Sequence, residues 1–536
     1  MNYDPLYHPY PSYRTPAYAH KGMVATSQPL AAQAGLDILK QGGNAIDAAI
    51  AAAAALTVVE PCSNGIGGDA FALVWTKGKL HGLNASGPAP KSISIDAVRA
   101  AGHEAMPSYG ALPVTIPGAP AAWAELSSKF GRLSLADTLK PAIRYAEEGF
   151  PVSPVVAHNW GKSFALYEKV LKGDAFKPWF DTFAPGGRPP AAGEIWRSTD
   201  HARTLALIGA SEGSSFYSGE LAERIAQFIA EAGGYLTASD LSAFRPEWVQ
   251  PISTSYRGYD IWEIPPNGQG LVALQALSIM NGYEGLQINA ADTYHKQIEA
   301  MKLAFADGHH YITDRAKMKV DVQSLLSPEY AELRRSLIGE RARQPEAGKP
   351  AAGGTVYLAT ADGEGNMVSF IQSNYMQFGS GLVVPGTGIA LQNRGMDFSL
   401  DPEHANRLEP GKRTYHTIIP GFLTRGGQAI GPFGVMGGIM QPQGHLQTIM
   451  NTLDFGLHPQ AALDAPRWQW TRDKTVLVEH GFPLAAAQAL ARIGHDVQIA
   501  LEASSFGRGQ IIWRDPLTGV LCGGTDSRAD GIVAAW

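Results

Sequence analysis

Thr355 follows two glycines, Gly353 and Gly354, at the end of a polar, Gly/Pro/Ala-rich stretch (338–354, IGERARQPEAGKPAAGG) and opens a β-rich run, TVYLATAD (355–362). This is the local arrangement that self-cleavage by an N→O acyl shift requires, a pliable backbone before the scissile bond and a rigidly held hydroxyl after it. Cutting between Gly354 and Thr355 would free the α-amine of Thr355, whose unperturbed pKa of roughly 7.7–8.0 suits a general base near neutral pH. Nucleophile and base would then be one residue, and no histidine would be required. The plainer alternative is that a β-branched residue simply begins a strand, and the local sequence leaves both readings open.

Other chemistry-bearing patterns are weaker. Gly209-Ala210-Ser211-Glu212-Gly213 matches the GxSxG nucleophile pattern, but it follows an apolar helix-like run where a nucleophile elbow needs a strand. Gly379, Gly381, Gly386 and Gly388 suggest a phosphate cradle, yet no Gly-Lys-Ser/Thr completes a Walker loop and tight turns are the better reading. His309 and His310 are adjacent and cannot share a metal in the i, i+4 manner. Cys62 and Cys522 are the only cysteines, in no CxxC or His/Cys spacing, so neither a disulfide framework nor structural zinc is expected. No metal or cofactor is called for.

The elements that must position Thr355 follow from periodicity. Strands are expected at Met23 to Thr26, within Ser63 to Trp75 after a Gly loop, and at Lys79 to Leu83. Met367 to Asn374 (MVSFIQSN) should pair with 355–362 across the Gly363-Glu364-Gly365-Asn366 turn. Later strands are expected at 416–424, 428–435 and 507–514. Helices are expected at about Ala31 to Gln41, then after an Asn44 N-cap, at 121–130, 135–148, 219–232, 271–281, 292–306 and 443–454. The 292–306 helix carries His295, Glu299 and Lys302, with Asp307 just beyond it. The region 338–354 has few residues able to anchor it and reads as an exposed linker. Early helices, a late hairpin and no fixed repeat imply a layered α/β or α+β architecture in one or two large units.

With 43 Lys+Arg against 49 Asp+Glu, the formal charge of −6 gives no basic footprint for nucleic acid or an anionic membrane. Apolar residues at 45 % and charged residues at 17 % supply a substantial core and exclude a disordered chain. The run Ala45 to Val59 is interrupted by Asp47, so no membrane span is expected. The first twenty-two residues alternate Pro, Tyr and polar groups without the apolar core of a secretory signal, and the expectation is a cytoplasmic protein.

Several longer segments are similar to the gamma-glutamyltransferase (gamma-glutamyl transpeptidase, glutathione hydrolase) family of N-terminal nucleophile hydrolases, and most closely to its glutathione hydrolase-like and cephalosporin-acylase-like bacterial branch. They are MVATSQPLAAQAGLDILKQGGNAIDAAIA (23–51), NGIGGDAF (64–71), PGAPAAW (117–123), PISTSYRGYDIWEIPP (251–266), TVYLATADGEGNMVSF (355–370), FGSGLVVPGTG (378–388), FGVMGGIMQPQGH (433–445) and DAPRW (464–468). The resemblance implies a four-layer αββα sandwich. It also implies a proenzyme cut into a large subunit, 1–354, and a small one, 355–536, which stay together as a heterodimer. It places Thr355 on the nucleophile, Ser373 on the hydroxyl that hydrogen-bonds it, and Gly437 and Gly438 on the pair whose N–H groups form the oxyanion hole. Two preorganised N–H donors with no side chain in the way suit that task. Asp397 falls on the carboxylate that holds the substrate's α-ammonium.

Other positions depart from the family. The arginine that clamps the α-carboxylate belongs to a motif aligning with Asn84 to Pro90, where Ala85 or a neighbour replaces it. Arg394 stands where a glutamine or glutamate is usual, His416 and Thr417 replace a serine pair, and Tyr375 replaces an asparagine. Arg394 beside Asp397 could restore a carboxylate contact or neutralise Asp397. The segment from Phe398 to Arg413 is shorter than a lid-bearing loop, which favours water over amine acceptors. The expectation is therefore a self-processing amidohydrolase for γ-glutamyl amides such as glutathione, with acyl transfer secondary. The alternative within enzymes is an acylase for glutaryl-type or small dicarboxylate monoamides, cephalosporin acylase- or oxamate amidohydrolase-like. Val356 and Tyr357 replace polar residues common after the nucleophile, so an uncut pseudoenzyme is the alternative of another class.

Overall fold

The computed structural model describes residue 4 and residues 6–344 and 354–536. Along the strand Gly354–Asp362, Tyr357, Ala359 and Ala361 enter one apolar cluster while Val356 and Leu358 enter another. Side chains alternate across a sheet, so a strand apolar on both faces must be covered on both. One cover is a second sheet and the other is helical.

The sheet holding Thr355 has seven strands in the order Ile532–Ala535, Gly22–Thr26, Gly354–Asp362, Met367–Tyr375, Asp69–Thr76, Lys79–Ala85, Glu247–Val249, each antiparallel to its neighbours. The second sheet, also seven-stranded and antiparallel, runs Ala17–Ala19, Leu521–Thr525, Arg508–Arg514, Gln428–Met436, Gly421–Arg425, Tyr259–Glu263, Ile252–Tyr256. Met23, Phe71, Tyr357 and Ile371 from the first meet Phe422, Met436, Ile512 and Leu521 from the second. Behind the first sheet lie the helices Pro29–Lys40 and Ala45–Val59, the latter buried along its whole length because its mostly alanine surface allows close approach. Behind the second lie Gly270–Asn281, Ala291–Tyr311 and Met440–Leu453. The result is the four-layer αββα sandwich, an α+β fold.

Asn44 closes a capping box with Asp47, and the expected 355–374 hairpin forms. Two expectations are corrected and a third is refined. The strand expected at 416–424 is laddered only over Gly421–Arg425, since Pro420 has no N–H to donate. The helix expected to end near 306 continues to Tyr311, so Asp307 lies inside it and pairs with Arg334 at 2.8 Å. The linker expected at 338–354 begins mostly exposed but is anchored at Ala342, which is buried and whose N–H donates to Ile493 O at 2.9 Å; residues 345–353 lie outside the described residues. Among the described residues no helix is long and apolar enough to cross a membrane.

The second sheet is locked by buried charge. Asp526 accepts from Arg467 Nη2 (2.7 Å), Gly509 N (2.8 Å) and Arg528 Nη1 (3.0 Å). Burial alone would raise its carboxyl, but Arg467 and Arg528 outweigh that and hold it down at about 2. A depressed carboxylate contributes stability that is complete above its unfolded value of about 3.9 and is lost as pH falls through about 2. Asp526→Ala leaves the buried Arg467 guanidinium without its carboxylate, while Arg528 stays paired with Glu479, and should cost about 3–5 kcal/mol, read as a lower denaturant midpoint at pH 7. An unchanged midpoint would mean that the cluster contributes nothing net.

Candidate active site

Thr355 and Ser373 are fully buried, with Oγ1 and Oγ 3.0 Å apart. Their meeting is produced by a bulge. Gly354 pairs with Tyr375 and Val356 with Gln372, so Ser373 and Asn374 stand opposite the single residue Thr355. Ser373 Oγ also accepts from Tyr375 N at 2.8 Å, which holds it in place.

The glycine pair comes from the second sheet. A side chain on Gly434 would collide with the Tyr357 ring, and one on Gly431 would run into Ile512 O of the neighbouring strand before crowding Met367, so the strand Gln428–Met436 lies tightly over the hairpin and advances toward the Thr355 end. Gly437 and Gly438 extend it there with φ of +138° and +57°, conformations that glycine adopts without strain. Neither amide N–H is spent on a hydrogen bond among the described residues. Gln269 Nε2 donates to Gly438 O (2.9 Å) and Thr417 O (2.6 Å), joining the pair to the next group.

That group is a compact ion pair. Arg394 and Asp397 flank a single 3₁₀ turn, with Nη1 3.3 Å from Oδ2. Tyr375 donates its hydroxyl to Asp397 Oδ1 at 2.6 Å and lies under the guanidinium, 3.7 Å from ring centroid to Cζ. Arg394 Nη1 also donates to Thr417 Oγ1 at 2.9 Å. Burial raises the Asp397 carboxyl, with Arg394 opposing. Arg394 is 1 % exposed, yet its Nε and Nη2 have no acceptor among the described residues. Two bare donors on a buried guanidinium are costly unless something accepts from them.

Sequence reasoning grouped His416 with the substrate contacts, and its geometry is different. Its Nε2 lies 3.0 Å from Asp69 Oδ2, and its Nδ1 accepts from Ile418 N at 3.3 Å, so both ring nitrogens are occupied by the protein. No catalytic motif marks Asp69. It is the Cα partner of Ser373 on the next strand, and burial pushes its carboxyl up to about 7 against the pull of Arg394. A lone aspartate opening the apolar strand DAFALVW was the available signal.

The loop after Asp397 is held by its own apolar contacts. Phe398, Leu400 and Leu408 pack on Ala89, Ile93, Val98 and Met106, while Asn406 Nδ2 donates to Asp397 O at 2.8 Å. The short segment is thus fastened beside the site. The GxSxG match dissolves into the end of the helix Thr199–Ala210, and Gly379, Gly381, Gly386 and Gly388 all have positive φ in turns.

Residues 31–536 match the family model described as gamma-glutamyltranspeptidase. A glutathione hydrolase-like YwrD proenzyme of Bacillus subtilis is 39 % identical over 524 residues, covering 95 % of this chain and 98 % of that one. An oxamate amidohydrolase proenzyme of Klebsiella pneumoniae is 36 % identical over 528 residues, covering 96 % and 98 %. Among solved structures, a cephalosporin acylase from Bacillus halodurans superposes with a TM-score of 0.96 at 66 % identity, covering 100 % of this chain and 99 % of that one.

Proposed function

The chain belongs to the gamma-glutamyltranspeptidase family of N-terminal nucleophile hydrolases, and on that footing we propose that it is a self-processing amidohydrolase for monoamides of small dicarboxylic acids, of the glutaryl type. The observation that carries the substrate class is the pair Arg394–Asp397. The carboxylate expected to hold an ammonium already accepts from Arg394 and Tyr375, while the buried guanidinium keeps two donors for an incoming carboxylate. The relatives named as a cephalosporin acylase and an oxamate amidohydrolase support the same class.

In this reading, maturation begins when Thr355 Oγ1 attacks the Gly354 carbonyl. The C–N bond to Thr355 breaks, an ester forms, and water hydrolyses it to leave a Gly354 carboxylate and a free Thr355 amine. In turnover, the amine takes the Oγ1 proton as Oγ1 adds to the substrate amide, with the oxyanion held by the N–H groups of Gly437 and Gly438. The same proton leaves with the departing amine, and water, deprotonated by the α-amine, releases the acid. Ser373 would steady Oγ1 and Asp69–His416 would brace that end of the sheet.

A γ-glutamyl substrate is the second reading, favoured by Asp397 itself, whose oxygens keep lone pairs for an ammonium, and by the glutathione hydrolase-like relative. Parallel assays with glutaryl and γ-glutamyl anilides separate the two. The expected kcat/KM is at least about tenfold higher for glutaryl, a modest 1.4 kcal/mol, and faster γ-glutamyl turnover reverses the assignment. Because the loop after Asp397 is fastened to the large half, water should outcompete amines for the acyl-enzyme. With glycylglycine present, hydrolysis product should dominate, and a dominant transfer product would contradict this reading.

A further inference from the structure

His295 and Glu299 sit one turn apart on the helix Ala291–Tyr311, and His495 reaches them from the turn preceding the strand Asp496–Ala500. All three are buried, at 4 %, 3 % and 3 % exposure, and one ligand atom from each lies within 4.8 Å of the others. His295 Nδ1 is 2.8 Å from His495 Nε2, and His495 Nε2 is 3.9 Å from Glu299 Oε1.

The tautomers follow from the partners. His295 Nε2 lies 2.8 Å from Gly339 O, and a carbonyl can only accept, so Nε2 carries the hydrogen and Nδ1 of the neutral ring presents a lone pair to His495. An imidazole donating one N–H to a backbone carbonyl while aiming its other nitrogen inward is the usual outer-shell arrangement of a metal-ligating histidine. The two rings are joined through one shared hydrogen, and His495 Nδ1 is buried with no partner among the described residues. Two imidazoles and a carboxylate are the donor set of open zinc sites.

We propose that His295 Nδ1, Glu299 Oε1 and His495 Nε2 form a binding site for a borderline divalent transition-metal ion of the zinc type, which takes the place of the hydrogen shared by the two rings as that hydrogen moves to His495 Nδ1. The cation now serving Glu299 is Lys302, whose Nζ donates to Oε1 at 2.6 Å and to Arg343 O at 2.9 Å. Lys302 and Glu299 also line a cleft of about 460 Å³ bounded by Asp307, His310 and Arg343. The cleft gives an ion a route in and the displaced ammonium a way out to solvent. Lys302 is therefore a competitor, and the affinity is set by that exchange.

The site sits on a seam. His295 lies before the expected cut at Gly354–Thr355 and His495 after it, and the Gly339–Arg343 segment hangs on the same cluster through Gly339 O and Arg343 O. An ion here would cross-link the two subunits and pin the end of the large one. The inference stands on this cluster alone and does not depend on the substrate reading.

The test uses the full purified protein, stripped with chelator, with Zn²⁺ titrated against a chromophoric competitor and Co²⁺ as a spectroscopic probe. One Zn²⁺ per chain is expected, with ligand-field bands of a low-coordinate N/O site for Co²⁺ and a raised Tm. His495→Gln should weaken Zn²⁺ by about 100-fold or more, since even outer-shell losses cost 10–100-fold. Lys302→Met should tighten it by removing the competing ammonium. Absence of a stoichiometric ion, an octahedral aquo-type Co²⁺ spectrum, or affinity indifferent to His495→Gln would overturn the proposal. Should a variant fail to fold, the Co²⁺ spectrum of the unaltered protein decides.

Discussion

Thr355→Ala should leave one uncut chain of 57.1 kDa under denaturing conditions and lower amide hydrolysis by about 10⁴-fold or more, the scale at which a catalytic unit loses its nucleophile. Both losses have one cause, since Oγ1 opens the Gly354 carbonyl in maturation and the substrate carbonyl in turnover. Thr355→Ser keeps an oxygen at the same branch point and should still cut itself and turn over, more slowly, because the serine rotamer is less restricted than that of a β-branched residue. Ser373→Ala removes the partner 3.0 Å from Oγ1 and leaves the nucleophile in place, so a loss nearer 10–100-fold is expected. Intact mass spectrometry resolves the first point, with the smaller fragment of the unaltered protein beginning at Thr355. A parent protein that stays at full mass on incubation would favour the uncut pseudoenzyme.

The parts of this site that the sequence exposes are those whose chemistry is local. Gly353-Gly354-Thr355 can be read because flexibility, a hydroxyl and a strand start are adjacent in the chain, and the 355–374 hairpin because its alternation and turn are contiguous. The meeting of Thr355 with Ser373 rests on a bulge that places two residues opposite one, which no periodicity announces. Asp69 and His416 are far apart in sequence, and only the sheet register brings the first beside Ser373 and the stacking of sheets brings the second to it. The anchoring of Ala342 escaped for the same reason, because its partner is Ile493. The strand expected from His416 onward shows the opposite error, an apolar run read as ladder where Pro420 delays pairing until Gly421.

The Arg394–Asp397 pair makes the second large prediction, because the two residues should act on substrate choice with opposite signs. Arg394→Gln removes the donors left for an acyl-chain carboxylate and also strips Asp397 of its countercharge. Truncating one member of a buried charged contact costs about 2–5 kcal/mol, so kcat/KM for a glutaryl anilide should fall roughly 30- to 5000-fold. The Asp397 carboxylate would then be free for an ammonium, and the γ-glutamyl to glutaryl ratio should rise. Asp397→Asn does the reverse. It leaves the guanidinium positive with only Asp69 to oppose it, which strengthens its hold on a carboxylate, and it removes the charge that an α-ammonium would need. Glutaryl turnover should be kept or improved while γ-glutamyl turnover falls. Arg394→Lys is not a neutral control, since an ammonium can neither stack on Tyr375 as the guanidinium does, 3.7 Å from the ring centroid, nor span two acceptors in one plane. It should recover only part of the loss. Equal effects of Arg394→Gln and Asp397→Asn on both anilides would mean that the pair merely holds the 3₁₀ turn in shape, and the residues that set the substrate class would have to be sought elsewhere.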